Sequence, residues 1–268
     1  MLERCRLCGS DKLRLWMTDG RNCDLNYYKC SDCSLWNYDL SLGMGQEQYV
    51  ERYVSPLNDR FKTNVHSRQT WKFLSRYAPV PGRILDIGCG NGCLLHLARQ
   101  AGWRVQGMEL SEKAARAIRE DQNIDVTVAD FLDYDNSRHD AYDVVVLRHV
   151  LEHLPDSLLA MQKVRGLLKD GGFALLEFPN TRSLGYGIKR VLKNRGLRNR
   201  KFHEDWRPGH CNEFCRRSFE YLLEQSGFEL MFWQTYSNKP LANMIYGMVP
   251  VGANARALIV KKPTHARH

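Results

Sequence analysis

From residue 83 onward the chain alternates short apolar runs with stretches in which apolar residues recur every three or four positions. Runs at 83–87, 104–108, 126–129, 142–147 and 172–178 have the length and β-branched content of buried strands. Helical spacing fills the intervals at 94–101, 112–120 and 161–168. Strands alternating with helices in this way predict βαβ units, hence an α/β fold with a doubly wound parallel sheet. Two more strand candidates, 228–236 and 255–260, close the chain. Upstream, a helix is expected over 61–77, ended by Pro79, Pro81 and Gly82. Residues 1–36 lack long periodic stretches and form a separate unit, joined by a linker containing Gly43 and Gly45. The expected organisation is therefore 1–36, a linker with N-terminal helices over 37–80, and the α/β domain over 81–268. No internal repeat or low-complexity segment interrupts it.

Residues 84–92 read Ile-Leu-Asp-Ile-Gly-Cys-Gly-Asn-Gly. This is a buried strand whose exit turn lets a ligand approach bare backbone. The glycines Gly88, Gly90 and Gly92 are spaced GxGxG, and Cys93 stands where a dinucleotide fingerprint needs its last glycine. Asp86, just before the turn, would repel a pyrophosphate and favours a ligand with an ammonium group.

On these residues the segment resembles motif I of the class I S-adenosylmethionine (SAM) dependent methyltransferases. The resemblance implies a Rossmann-like seven-stranded sheet ending in a hairpin, with SAM as cofactor. Asp86, Gly88 and Gly90 would receive its methionine part. Glu109, at the end of the second strand, would accept the ribose hydroxyls, with Met108 and Leu110 flanking adenine. Asp130 would take the adenine amino group, with Phe131 beside the ring. Residues 147–154, Leu-Arg-His-Val-Leu-Glu-His-Leu, resemble the post-strand segment of small-molecule methyltransferases. That likeness sets the backbone of Arg148 and His149 against the methionine end and makes His149 and His153 catalytic candidates on a short helix. Tyr49 and Tyr53 would cover the SAM carboxylate.

Cysteine usage adds a metal. Nine cysteines in a chain with neither an apolar signal segment nor a membrane-length apolar run fit a reducing, cytoplasmic setting. Cys5–x–x–Cys8 and Cys30–x–x–Cys33 have the spacing of a zinc ribbon, in which two turns supply four thiolates to one structural Zn2+. A four-thiolate site also accepts iron. Cys23 has no partner at ligand spacing.

The net charge of +9 is local. Residues 181–217 hold eleven Lys and Arg against three acidic residues, +8 of that total. An insertion here forms the substrate cap in the methyltransferases the chain resembles, so a basic cap points to a small-molecule, phosphate-bearing acceptor. Leu184, Ile188, Val191 and Leu192 recur at helical spacing among lysines and arginines, a pattern that also suits peripheral membrane contact. Residues 206–214 and the helix after them resemble the "H…F…L…L…GF" block of sugar-modifying methyltransferases. His210, or His203, is accordingly a candidate general base.

The expected function is methyl transfer from SAM to a hydroxyl of a nucleotide-linked or lipid-linked sugar. A zinc-binding N-terminus resembles sugar C-methyltransferases, but their further C-terminal domain has no counterpart here, which favours O-methylation. The alternative is an rRNA or tRNA methyltransferase that uses the zinc module for RNA recognition. Against it, the fourth strand does not end in the Asn-Pro-Pro-Tyr type of loop. A non-catalytic binding module is disfavoured by the intact strand-end acids.

Overall fold

A computed structural model describes residues 2–19, 25–41, 43–44, 60–135, 141–197, 209–237 and 251–262. Tyr49, Tyr53, His203 and Cys23 lie outside them. The α/β domain has a seven-stranded sheet in the order β10-β11-β8-β7-β4-β5-β6. Its strands are β4 (Arg83–Ile87), β5 (Arg104–Glu109), β6 (Val126–Val128), β7 (Tyr142–Arg148), β8 (Leu168–Pro179), β10 (Phe228–Tyr236) and β11 (Asn254–Lys261). Neighbours from β6 through β8 pair in parallel, and β11 is antiparallel to both β8 and β10. The expected seven-stranded sheet with a closing hairpin is thus present.

Side-chain alternation splits the core in two. Leu85, Ile87, Val145, Leu147 and Leu176 face α4 (Ser157–Leu167) and α6 (Arg216–Ser226), whereas Ile84, Val144, Val146, Leu175 and Leu258 face α1 (Arg60–Leu74) and α2 (Cys93–Gln100). Both faces are covered, which is why the strands read as continuous apolar runs rather than as an alternating pattern. The strand expected at 172–178 begins earlier, at Leu168, and crosses Gly172, where a Cβ would press on the carbonyl oxygens of Lys169, Tyr142 and Asp143 at 3.0–3.1 Å. The helix expected over 61–77 ends at Leu74. α3 (Glu112–Gln122) opens on the Ser111 side chain, which accepts from the Ala114 N–H, and closes on Asn123 in the left-handed region.

The N-terminal strands β1 (Leu13–Asp19), β2 (Leu25–Cys30) and β3 (Trp36–Tyr38) form an antiparallel sheet whose fourth strand, β9 (Asn212–Glu213), comes from the basic insert. Trp36 pairs with Glu213, and Asn37 with Asn212. Cys5, Leu7, Cys30, Cys33 and Leu35 belong to the same apolar cluster as Leu147, Phe178 and Phe219. Ribbon and α/β domain therefore share one core.

The amphipathic helix α5 (Leu184–Asn194) packs on the ribbon through its aromatic and cationic side chains and turns its aliphatic stripe outward. Tyr186 stacks edge-on against Trp36, Arg190 lies 4.1 Å over the Trp16 ring, and Lys193 pairs with buried Asp19. Leu184, Ile188 and Val191 are exposed. Aromatic rings on the ribbon outcompete the aliphatic stripe because they take the cationic stems and heads as well.

Candidate functional site

A cavity of about 390 Å³ opens at the carboxyl ends of the parallel strands, lined among others by Gly88, Gly90, Glu109, Asp130, Arg148, His149 and His153. That is the crevice where open α/β sheets bind ligands, and its size suits a nucleoside-sized molecule. The turn after β4 sets Gly88, Gly90 and Gly92 at φ of 67°, 58° and 69°. At Gly88 a Cβ would also come within 2.4 Å of Val150 Cγ2, so both backbone and space exclude a side chain. The Gly88 and Cys89 N–H groups donate to the Met108 carbonyl, and the Gly90 N–H donates to Glu109 Oε2 at 2.9 Å. Glu109 Oε1 accepts from the N–H groups of Leu110 and Ser111. The carboxylate is thus fixed at the cavity wall, in position to accept from a ribose.

Leu110, Asp130 and Phe131 continue the same wall from the ends of β5 and β6. Asp130 Oδ1 accepts from the Leu132 N–H, and Phe131 is buried. Asp86 lies behind the loop, fully buried, with neither carboxylate oxygen hydrogen-bonded among the described residues and with Arg148 Nη2 3.6 Å from Oδ2. Burial pushes its carboxyl up to about 6, against the opposing pull of Arg148. An orphaned buried carboxylate, a glycine cradle and two strand-end acids fit the ammonium, ribose and adenine of SAM. The side chain of Arg148 enters this arrangement as well as its backbone: its guanidinium donates to Ser67 Oγ at 3.2 Å and faces Asp86.

The other end of the cavity is histidine-rich. His149 does not lie on a helix with His153, as its spacing suggested. It sits at φ 55°, its N–H donates to the Glu177 carbonyl at 2.7 Å, and a single 3₁₀ turn, Leu151–His153, follows. The left-handed residue turns the chain from strand to wall and leaves the imidazole 40% exposed. Nδ1 of His149 is 3.2 Å from Glu152 Oε1. The basic insert adds His210, whose ring meets that of His153 edge-on with centroids 4.6 Å apart. Nδ1 of His210 is 3.2 Å from Glu213 Oε1, which also accepts from the Tyr38 hydroxyl of the ribbon. The structure brings the predicted His149 and His153 to the cavity wall and packs His210 against the His153 ring.

The buried carboxylates set the state of these rings. Burial works against protonation of His149 and His210, but Glu152 and Glu213 outweigh it and raise both; burial and His210 lower His153. Glu152, opposed by its own burial, is held below the usual carboxylate range by His149. Burial and the neighbouring Glu213 drive Tyr38 well above a normal phenol.

Glu152, Glu213, Tyr38 and Glu177 escaped the sequence reading. Glu177, fully buried at the end of β8, accepts from Arg256 at 2.5 Å and from Thr70 at 3.0 Å, and it lies 3.5 Å from His66. Its own burial notwithstanding, His66, Arg256 and Arg148 hold it well below the carboxylate range. The one available signal was a charged residue inside an apolar strand, Leu-Leu-Glu-Phe.

In the ribbon, Cys5 Sγ is 3.5 Å from Cys33 Sγ and Cys8 Sγ is 3.6 Å from Cys30 Sγ, all four within 4.8 Å of one another. A tetrahedral ion with metal–sulfur bonds of about 2.3 Å needs sulfurs about 3.8 Å apart, so the four thiols fit a zinc or iron ion. Cys5 is lowered to about 5, by Cys33 first, whereas burial pushes Cys8 up to about 11. Close thiols share one ionisation until a cation neutralises them.

A family model for a methyltransferase domain matches residues 57–231. Among curated proteins, the ubiquinone biosynthesis O-methyltransferase of Thiobacillus denitrificans is 30% identical over a match spanning 46% of this chain and 57% of that protein. The enzyme of the same name from Haemophilus ducreyi is 26% identical over 67% of this chain and 79% of its own. Among solved structures, a SAM dependent methyltransferase from Archaeoglobus fulgidus superposes with a TM-score of 0.55 at 19% identity, covering 73% of this chain and 94% of the other. The magnesium protoporphyrin IX methyltransferase of Synechocystis with bound S-adenosylhomocysteine gives 0.54 at 19%, covering 76% and 84%. With its parallel sheet, glycine loop and strand-end acids in place, the chain belongs to the methyltransferase-domain family and is a class I SAM-dependent methyltransferase.

Proposed function

We propose that the protein methylates a hydroxyl of a small molecule, with the cofactor along the β4–β6 strand ends and the acceptor against the histidine wall. The observation that carries this is the division of one cavity into an acid-and-glycine end and a histidine end. SAM supplies an electrophilic methyl group on a sulfonium. Glu109, Leu110, Asp130 and Phe131 hold the nucleoside, while Arg148, with the buried Asp86 carboxylate behind it, faces the amino acid part. His149, exposed and polarised by Glu152, takes the acceptor's proton, and His153 and His210 orient the hydroxyl. The four ribbon thiols hold a structural zinc ion.

The acceptor is read as a hydroxyl on a nucleotide- or lipid-linked sugar. Support comes from the cationic insert and from the outward stripe of Leu184, Ile188 and Val191, which suits a lipid surface. The names of the curated relatives, ubiquinone biosynthesis O-methyltransferases, favour oxygen as the methylated atom. Labelled SAM supplied with lipid, small-molecule and RNA fractions of a cell extract tests the reading; label confined to the RNA fraction overturns it. RNA is the second reading, supported by a cleft of about 910 Å³ between ribbon and insert. Arg14, Lys29, Arg182, Arg216 and Arg217 line it against Glu220. RNA binding there would fall steeply with salt.

A further inference from the structure

The histidine wall has the donor geometry of a metal centre, separate from the cysteine ribbon. Glu152, His153 and His210 each present a ligand atom, all within 4.8 Å of one another. Glu152 is buried, and among the described residues its Oε2 has no hydrogen-bond partner, while Oε1 is engaged by His149. A buried carboxylate oxygen left unmatched among imidazoles calls for a cation.

Tautomers decide which nitrogens face that cation. Nδ1 of His153 is 2.6 Å from the Gly209 carbonyl, which only accepts, so Nδ1 carries the proton and a cation would be taken on Nε2. For His210, Nδ1–H donates to Glu213, which Tyr38 orients in turn, and Nε2 is again the ligand. Metal-bound histidines are held in this manner, by a carbonyl or carboxylate on the remote nitrogen. The donors come from two segments tied rigidly together. The Cys211 N–H donates to the Glu152 carbonyl at 2.8 Å, and Asn212 Nδ2 donates to the Leu154 carbonyl at 2.9 Å.

We propose that Glu152, His153 and His210 bind a first-row divalent transition ion such as Mn2+, Fe2+ or Zn2+, with open positions toward the cavity that His149, His153 and Gly209 line. A two-histidine, one-carboxylate set leaves room for an acceptor oxygen, and the ion lowers the pKa of the hydroxyl it holds. The O–H proton passes to His149. An O–C bond forms to the methyl carbon, and the S–C bond breaks with its electron pair left on sulfur. This assignment rests on the methyl-transfer reading above and moves His153 and His210 from orienting the hydroxyl directly to ligating the ion that holds it.

The test titrates Mn2+ into protein whose ribbon is filled with zinc, reading free Mn2+ by electron paramagnetic resonance. Manganese discriminates against thiolates, so the ribbon does not compete. The expected result is one Mn2+ per chain, weakened at least tenfold in Glu152→Gln and in His210→Ala, with a smaller loss in Tyr38→Phe. SAM affinity of the same samples, measured by calorimetry, should stay within threefold of wild type and certifies that the variants fold. No saturable Mn2+ binding, or binding unchanged in both ligand variants, overturns the proposal. If SAM itself fails to bind the wild type, the methyl-transfer reading falls, and the manganese titration still answers for the metal.

Discussion

The two ends of the cavity are built differently. At the cofactor end, Gly88, Gly90, Glu109 and Asp130, with Asp86 buried behind them, come from successive strand ends, and parallel pairing alone brings them together. At the acceptor end, Tyr38 comes from the ribbon, His149 to His153 from the turn after β7, and His210 and Glu213 from an insert that completes the ribbon sheet. A site made by one sheet is a local motif. A site made by three segments exists only once ribbon and domain have packed, and this lets its chemistry vary without disturbing the cofactor.

The sharpest way to break that contrast is to substitute one end and measure the other. His149→Ala should lower kcat by a factor of about 10²–10³, the usual worth of a positioned general base, and leave the calorimetric SAM affinity within threefold. A parallel fall in SAM affinity would show the two ends to be one unit. Gly88→Ala should act in reverse. A Cβ 2.4 Å from Val150 on a left-handed residue costs about 1–3 kcal/mol, so SAM binding should weaken about tenfold or more by calorimetry. Glu109→Ala removes an acceptor fixed by three N–H groups, and a SAM dissociation constant raised about tenfold, or about 1.4 kcal/mol, is expected.

Acidity sharpens the comparison further. Asp86 titrates near 6 rather than near 4, and only its ionised form attracts an ammonium group. SAM affinity should therefore hold above pH 6 and fall as pH drops below it, by up to about tenfold per unit. In Asp86→Asn that fall should disappear; a slope surviving the substitution assigns the dependence elsewhere. The sign for stability is opposite. Because the folded-state value is raised, charging Asp86 costs the unliganded protein stability as pH climbs from about 4 to about 6. The smallest effect concerns the insert: Ile188→Glu should weaken co-sedimentation with anionic vesicles several-fold and leave SAM affinity unchanged. Equal sedimentation of both proteins removes the membrane from the reading.

Legibility in the sequence followed this same division. The apolar runs marked the strands because each is buried on both faces, and the GxGxG loop with Asp86 marked the cofactor because backbone approach admits only glycine there. The ribbon was legible from two CxxC pairs, since a metal constrains spacing directly. What lies between these signals was not. Glu177 looked like an interruption of an apolar strand, yet it anchors Arg256, Thr70 and the neighbourhood of His149. Helix α5 carried a correct periodicity but not its orientation, because only contact with Trp16, Trp36 and Asp19 decides which stripe turns inward.

The sequence by itself determined the sheet, the cofactor loop and the thiol cluster, because periodicity, glycine spacing and ligand spacing act over short stretches of chain. Only the tertiary structure decided that Tyr38, Glu152, His153, His210 and Glu213 form one cluster beside the cavity. The hydrogen bond from Tyr38 to Glu213, 175 positions along the chain, and the ring contact of His153 with His210 leave no mark on local pattern, and a buried carboxylate finds such a partner through packing rather than through spacing along the chain.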